Sequence, residues 1–286
     1  VDLQASSTKL EPDALHGTPV ITGWFGEGKN NDIAILSRGG SDHSATAIAN
    51  LVNADRVILW KDVPGIFTIN PRWGIRSETI PYLDYQEAIE LSLMDTPVLH
   101  PSTIEPLIEP IIPLEVRHLY HANDGQRTII GPKLPEEHLK AVGCLPNVMS
   151  LGFSHHHVDA HQRQLVKLLG ELAQNEVHWW GLESRLGDSR LIVSQHDMHR
   201  AASILEDFDL EPHYHHHLGL LSLIGCNEQD VEAINAMFDA TEFELTWLNQ
   251  TSSAARVAID GEDLSKALQL LHGLIQDQHQ ALLEQR

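Results

Sequence analysis

Positive charge is scarce in this sequence. Against 40 Asp and Glu residues stand 19 Lys and Arg, leaving a formal charge of -21. A field of that sign repels phosphate backbones and anionic headgroups, so neither nucleic acid nor a membrane surface is an expected partner. Any phosphate ligand must be gripped locally, by a few cations and backbone amides. Cysteine is nearly absent: Cys144 and Cys226 are the only two, too few and too widely spaced for a disulfide framework or a thiolate zinc centre, and in keeping with a reducing cytoplasm. Long apolar runs are missing as well. None approaches the roughly 20 residues that a membrane helix needs, and the opening VDLQASSTKLEP has no basic stretch leading into an apolar one. A soluble cytoplasmic protein is the expectation, and the start on Val1 rather than a methionine suggests a processed or partial chain.

What is present is enough for more than one core: 286 residues, 42% of them apolar. From Thr18 onward short apolar runs alternate with amphipathic ones. TPVITGWFG, DIAILS, RVILWKDV, PLEVRHLY and RTIIGP read as strands; SDHSATAIANLVN, DYQEAIELSLMD and HPSTIEPLIEP read as helical. That alternation predicts an α/β layer with a largely parallel sheet, over residues 1–134, whose ligands bind at the carboxyl ends of the strands. The proline-bearing segment from Leu134 to Leu145 marks a boundary. Two units of the same order follow, strand, helix, strand pair, helix, at 146–210 and 211–286, each the size of a ferredoxin-like α+β sandwich. Asp159, Asn227 and the stretch Gly261 to Asp263 stand where helix starts favour short polar residues or glycine.

The stretch SRGGSDHSA, Ser37 to Ala45, concentrates chemistry at a strand-to-helix turn. A glycine pair, Gly39 and Gly40, lets backbone amides close on an oxyanion at a helix start. Arg38 offers a bidentate fork to a carboxylate or phosphate, and Ser41 and Asp42 can either meet a ligand ammonium or simply cap the helix. Further on, in VILWKDVPGIFTINPRW, a buried strand ends at Lys61 and Asp62 before a Pro-Gly turn, with Phe67 and Arg72 beyond. An aromatic ring there can stack on a base and an arginine can reach phosphates, or the first can be core and the second solvated.

These segments, with VLHPSTIEP and TIIGP, resemble the aspartokinases of the amino acid kinase family, and the two later units are similar to paired ACT regulatory domains through LLSLIGCN and QTSSAARVAIDGED. The resemblance covers nearly the whole chain. It implies transfer of the γ-phosphoryl group of ATP, with Mg2+, to the aspartate side-chain carboxylate, the first step towards lysine, threonine and methionine. It implies that Arg38, Ser41 and Asp42 meet aspartate, that the Gly39 and Gly40 amides hold an anion, and that Lys61, Asp62, Phe67, Arg72 and Val98 surround ATP. It further implies a homodimer through the ACT units and a lysine or threonine effector near Phe153, Ser154, Val158 and Ala160. Three departures stand out. Nothing before Thr18 matches the family's opening lysine-glycine-glycine loop, so the kinase domain is expected to be incomplete at its start. Pro97 replaces the lysine that precedes Val-Leu-His-Pro, and Lys61 stands where threonine is common. The alternative reading is a regulatory chain or pseudokinase that binds nucleotide or effector without turnover.

Histidine is abundant, at 19 residues, with clusters in SHHHVDAH and PHYHHHLG. His157 and His161 share a helix face at i, i+4, a spacing open to metal binding. No carboxylate or cysteine pattern completes such a site, and no metal centre is expected. Trp179 and Trp180 are expected at a sheet face or a subunit interface.

Overall fold

The structure, a computed structural model, describes residues 1–10, 15–28, 30–95, 98–120, 125–135, 138–154, 161–185, 187–210 and 212–284. After a short helix α1 (Leu3–Ser7) come β1 (Phe25–Glu27) and β2 (Ile33–Ile35), which pair antiparallel with each other. Both had been expected in the main sheet. The short turn between them favours pairing with the immediate neighbour, and every residue of the two strands is exposed, Ile33 at 77%.

The main sheet of the first region has the order β3 (Val57–Lys61), β5 (Leu114–His118), β6 (Arg127–Gly131), β4 (Tyr82–Asp84). Two of its pairings are parallel; β5 and β6 run antiparallel because the short connection at 119–126 has no length for a crossover. Helices α2 (Gly40–Leu51), α3 (Tyr85–Leu93) and α4 (Pro101–Ile108) close a core on Ala49, Leu83, Ile104, Leu107, Leu114 and Ile130. Local chemistry starts the helices where the pattern says. Asp84 caps α3 by accepting from the Glu87 amide while the Glu87 carboxylate accepts from the Asp84 amide, each at 2.7 Å. In α4, Pro101 fills the first turn, where no amide bond is lost.

The rest of the chain builds one antiparallel sheet of six strands, in the order β11 (Thr246–Gln250), β12 (Ala254–Asp260), β10 (Pro212–Ile224), β7 (Ala141–Ser154), β9 (Asp188–Ser194), β8 (Trp179–Arg185). The central strands serve both units. Strand β10 pairs with β7 along nearly its whole length, from Ala141 to Phe153, whereas β9 pairs only with residues 148–154. Helices α5 (His161–Gln174) and α6 (Met198–Asp207) cover the first unit around Leu151, Phe153, Leu168 and Leu205. Helices α7 (Glu228–Asp239) and α8 (Leu264–Glu284) cover the second around Leu221, Val257, Leu268 and Leu271. Asn227 caps α7 in a capping box with Asp230; Asp159 lies outside the described residues. The helix-free faces meet on Val148, Ile192, Leu220 and Ala258, and Met94 enters from the first region. Strands β8 and β11, the two edges, come together where a Cβ on Gly181 would stand 3.2 Å from Leu248.

Candidate functional site

The glycine turn is held from both sides. Gly39 adopts φ 82, a left-handed conformation open to glycine at little cost, and caps α2. A Cβ on Gly40 would sit 2.5 Å from the Leu36 Cβ, and one on Gly39 would touch His100 at 3.0 Å, so the turn is wedged between the exit of β2 and the start of α4. The Gly40 amide donates to Ser37 O and the His43 amide to Gly39 O, which leaves the Ser41 and Asp42 amides at the mouth of the helix, where an anion is favoured. His43 adds rigidity through a 2.5 Å hydrogen bond from its ring to Ser102 O in α4.

Asp42, in the first turn of α2, reaches across to the sheet instead of capping the helix. Its carboxylate accepts from Lys61 Nζ at 2.5 Å, with both side chains about four-fifths buried. Lys61 is the last residue of β3, so the pair ties the start of α2 to a strand's carboxyl end, the edge at which α/β sheets bind ligands. Sequence reasoning placed Asp42 and Lys61 in separate sites; the structure joins them. Arg38, Ser41 and Asp62 are exposed around this pair, and Arg38 and Asp62 form no ion pair among the described residues.

From Asp62 the chain turns through Gly65, where a Cβ would lie 2.5 Å from Thr128 Oγ1, into a hairpin that returns at Ile80. Thr128 pins its base, accepting from the Ile66 amide at 2.8 Å and donating to Ile80 O at 2.7 Å. Phe67 pairs across to Thr79 and forms one wall of a cleft of about 530 Å³ with Pro64, Arg76, Glu78, Gln126 and Arg127. Arg72 does not line this cleft. It lies in the tight turn Pro71–Trp73 at the hairpin tip and is exposed. Arg76 and Arg127 were not singled out from sequence. The signal for Arg76 was there: Pro71 and Gly74 mark a tip, so an arginine just past the tip runs back beside Phe67.

Val98 is half-buried against the first core. Of the expected effector residues, Phe153 is fully buried in the core of the first unit and Ser154 is exposed at the end of β7; Val158 and Ala160 lie outside the described residues, as do Pro97 and His157. Trp180 packs at the meeting of the bare sheet faces, its indole donating to Ser194 Oγ at 3.1 Å. Burial pushes both thiols up to about 12, with Asp95 adding to the effect at Cys144 and Asp230 at Cys226, so neither is a nucleophile near neutral pH. No grouping of three or more His, Cys, Asp or Glu able to hold a metal occurs among the described residues, and no helix there is long and apolar enough to cross a membrane.

Residues 4–118 match the amino acid kinase family. Chloroplastic aspartokinase 1 of Arabidopsis thaliana is 37% identical over 120 residues, 41% of this chain and 21% of that protein. Among solved structures, the aspartate kinase of Clostridium acetobutylicum superposes with a TM-score of 0.82 at 22% identity, over 95% of this chain and 66% of that one. Aspartokinase III of E. coli, in complex with aspartate and ADP, gives a TM-score of 0.73 at 24% identity, over 88% of this chain and 59% of that one. The same enzyme in complex with lysine and aspartate gives 0.68. This chain therefore spans from about a fifth to two thirds of the length of these relatives. The start of the chain is thus similar to the amino acid kinase family, and nearly all of its length shares the fold of these aspartate kinases.

Proposed function

We propose that the chain serves an aspartate kinase reaction. An oxygen of the aspartate side-chain carboxylate attacks the γ-phosphorus of ATP, the bond to the β-phosphate oxygen breaks, and 4-phospho-L-aspartate and ADP result. The observation that carries this reading is the Lys61–Asp42 pair, which sets an anion-binding helix start against the strand end from which the Phe67 loop departs. Aspartate would lie at the Gly39–Gly40 turn, its carboxylate towards Arg38 and its ammonium towards Ser41 and Asp42. The nucleotide would follow the loop from Lys61 and Asp62, with Val98 nearby, its base on Phe67 and its phosphates towards arginine. Such a transfer needs two anions in line and their charge neutralised more than it needs covalent help. Magnesium, which neutralises that charge, usually keeps several waters and needs only one or two carboxylates besides the phosphates; the exposed Asp62 fits that modest demand.

E. coli aspartokinase III binds lysine, and by analogy the rolled six-stranded half here would carry an amino-acid effector and pair with a second copy in the cytoplasm. Titration of the chain with MgADP by calorimetry tests the nucleotide cleft. Phe67→Ala and Arg76→Ala should each weaken binding about tenfold, or 1.4 kcal/mol, with Arg72→Ala having less effect; equal affinity in all three would remove the cleft from the site. One residue favours a second reading, a nucleotide- and effector-binding chain without turnover: Pro97 has no amide proton to offer a phosphate. An ATP-dependent hydroxamate assay separates the two, since ADP binding without acyl phosphate would leave only the second.

A further inference from the structure

The hairpin that carries Phe67 and Arg76 has another side. Directly after Phe67, Thr68 and Ile69 belong to the second regulatory unit. The Thr68 carbonyl accepts from the Val142 amide of β7 at 2.9 Å, and Ile69, 1% exposed, is part of the core built by Leu268, Leu271 and Ile275 of α8. The Thr68 hydroxyl lies 3.0 Å from Nε2 of His272, also on α8, and accepts from the Glu78 amide of the returning strand at 3.2 Å. Two turns further along the helix, Nδ1 of His279 lies 3.3 Å from the Glu78 carboxylate. One helix thus touches both strands of the hairpin, and Glu78 also lines the cleft.

His272 is 2% exposed amid apolar neighbours, where an imidazole costs stability unless it is hydrogen-bonded. Leucine would pack there without that cost. Burial lowers its pKa, opposed by the charge of Glu78, so the ring stays neutral and its bond to a hydroxyl is uncharged. We infer that His272 is a positioning residue for the nucleotide cleft: by holding Thr68 Oγ1 it fixes the hairpin strands, and with them the stance of Phe67 and Arg76. The inference rests on the reading of that cleft as the nucleotide site.

The test uses the chain as it stands, with amide hydrogen exchange over residues 66–80 and MgADP titration as paired readouts. His272→Leu should raise exchange in that segment about tenfold, leave exchange in β8 and β9 unchanged, and raise the ADP dissociation constant about fivefold. His272→Gln, whose amide can reach Thr68, should restore most of both. Thr68→Val approaches the same bond from the other side. It should reproduce the loss of affinity, and adding His272→Leu to it should cost nothing more. An ADP affinity unchanged in both single variants overturns the positioning role. So does faster exchange spread evenly over the chain, which is the mark of a purely structural residue. Absence of ADP binding in the unsubstituted chain overturns instead the nucleotide reading beneath it.

Discussion

The two strand-helix-strand-strand-helix units of the six-stranded half share an architecture and differ in whom they touch. The core of the first, on α5 and α6, is made wholly of its own residues, Met149 to Leu210. The core of the second takes in Ile69, Trp73 and Ile75 from the hairpin of the kinase-like region, and that region's core in turn takes in Ala141, Ile224 and Ala254. Polar contacts follow the same division. Lys140 meets the Glu87 carboxylate at 2.7 and 2.8 Å, and Arg256 grips Glu90 through two nitrogens at 2.6 and 2.7 Å while Ser222 donates to the same carboxylate. The first unit joins this junction at its margin, where the Trp180 carbonyl accepts from Arg256 at 3.1 Å. The second unit is therefore a structural continuation of the kinase-like region, whereas the first meets that region through Met94, packed on Val148 and Ile192, and reaches the junction through the Trp180 carbonyl.

Paired core truncations put that contrast at greatest risk. Leu271→Ala in the second unit and Leu168→Ala in the first remove fully buried side chains and should each cost about 3 kcal/mol. Only Leu271→Ala should speed exchange at 66–80; equal effects there would dissolve the distinction. Next in size is the junction. Arg256→Met leaves Glu90 without its fork and should cost roughly 3 kcal/mol, while Glu90→Met with Arg256→Met should recover much of it, because replacing both partners of a buried pair is far cheaper than removing one. Chemical denaturation of the two variants beside the unsubstituted chain checks this, and a double variant no better than the single would mean that packing, not charge, holds the junction.

The smallest effect is a pH dependence. A histidine with a lowered folded pKa takes up its proton more readily when unfolded, so its contribution is complete above the ordinary value of 6.5 and drains away as pH falls below it. Between pH 7 and 5 the unsubstituted chain should thus lose stability faster than His272→Gln. Parallel slopes would mean that α8 holds the hairpin by apolar contact alone.

Much of this was legible in the residues. The strand at 57–61, the helix after the glycine pair and the repeated strand-helix-strand-strand-helix order follow from local periodicity and caps, which report a segment's own preference. What escaped was choice of partner. Nothing local says that Phe25 pairs with Ile35 instead of joining the main sheet, or that β7 takes β10 along nearly its whole length and β9 only over 148–154. The site shows the same limit. The glycine turn could be read, yet the pairing of Asp42 with Lys61 and the choice of Arg76 over Arg72 beside Phe67 depend on how a hairpin and a helix start meet in space.

The shared central strands also set the order in which the molecule can be made. When β7 leaves the ribosome its first half has no partner, and it must wait through all of α5 to α6 until β10 arrives, after which β12 and α8 have still to seal the sheet. Pairings so distant along the chain fold slowly and leave an unpaired edge open to neighbours meanwhile. Closure of the sheet is thus a late event, and a ribosome stalled before residue 212 would hold β7, β9 and β8 with one edge of β7 still open.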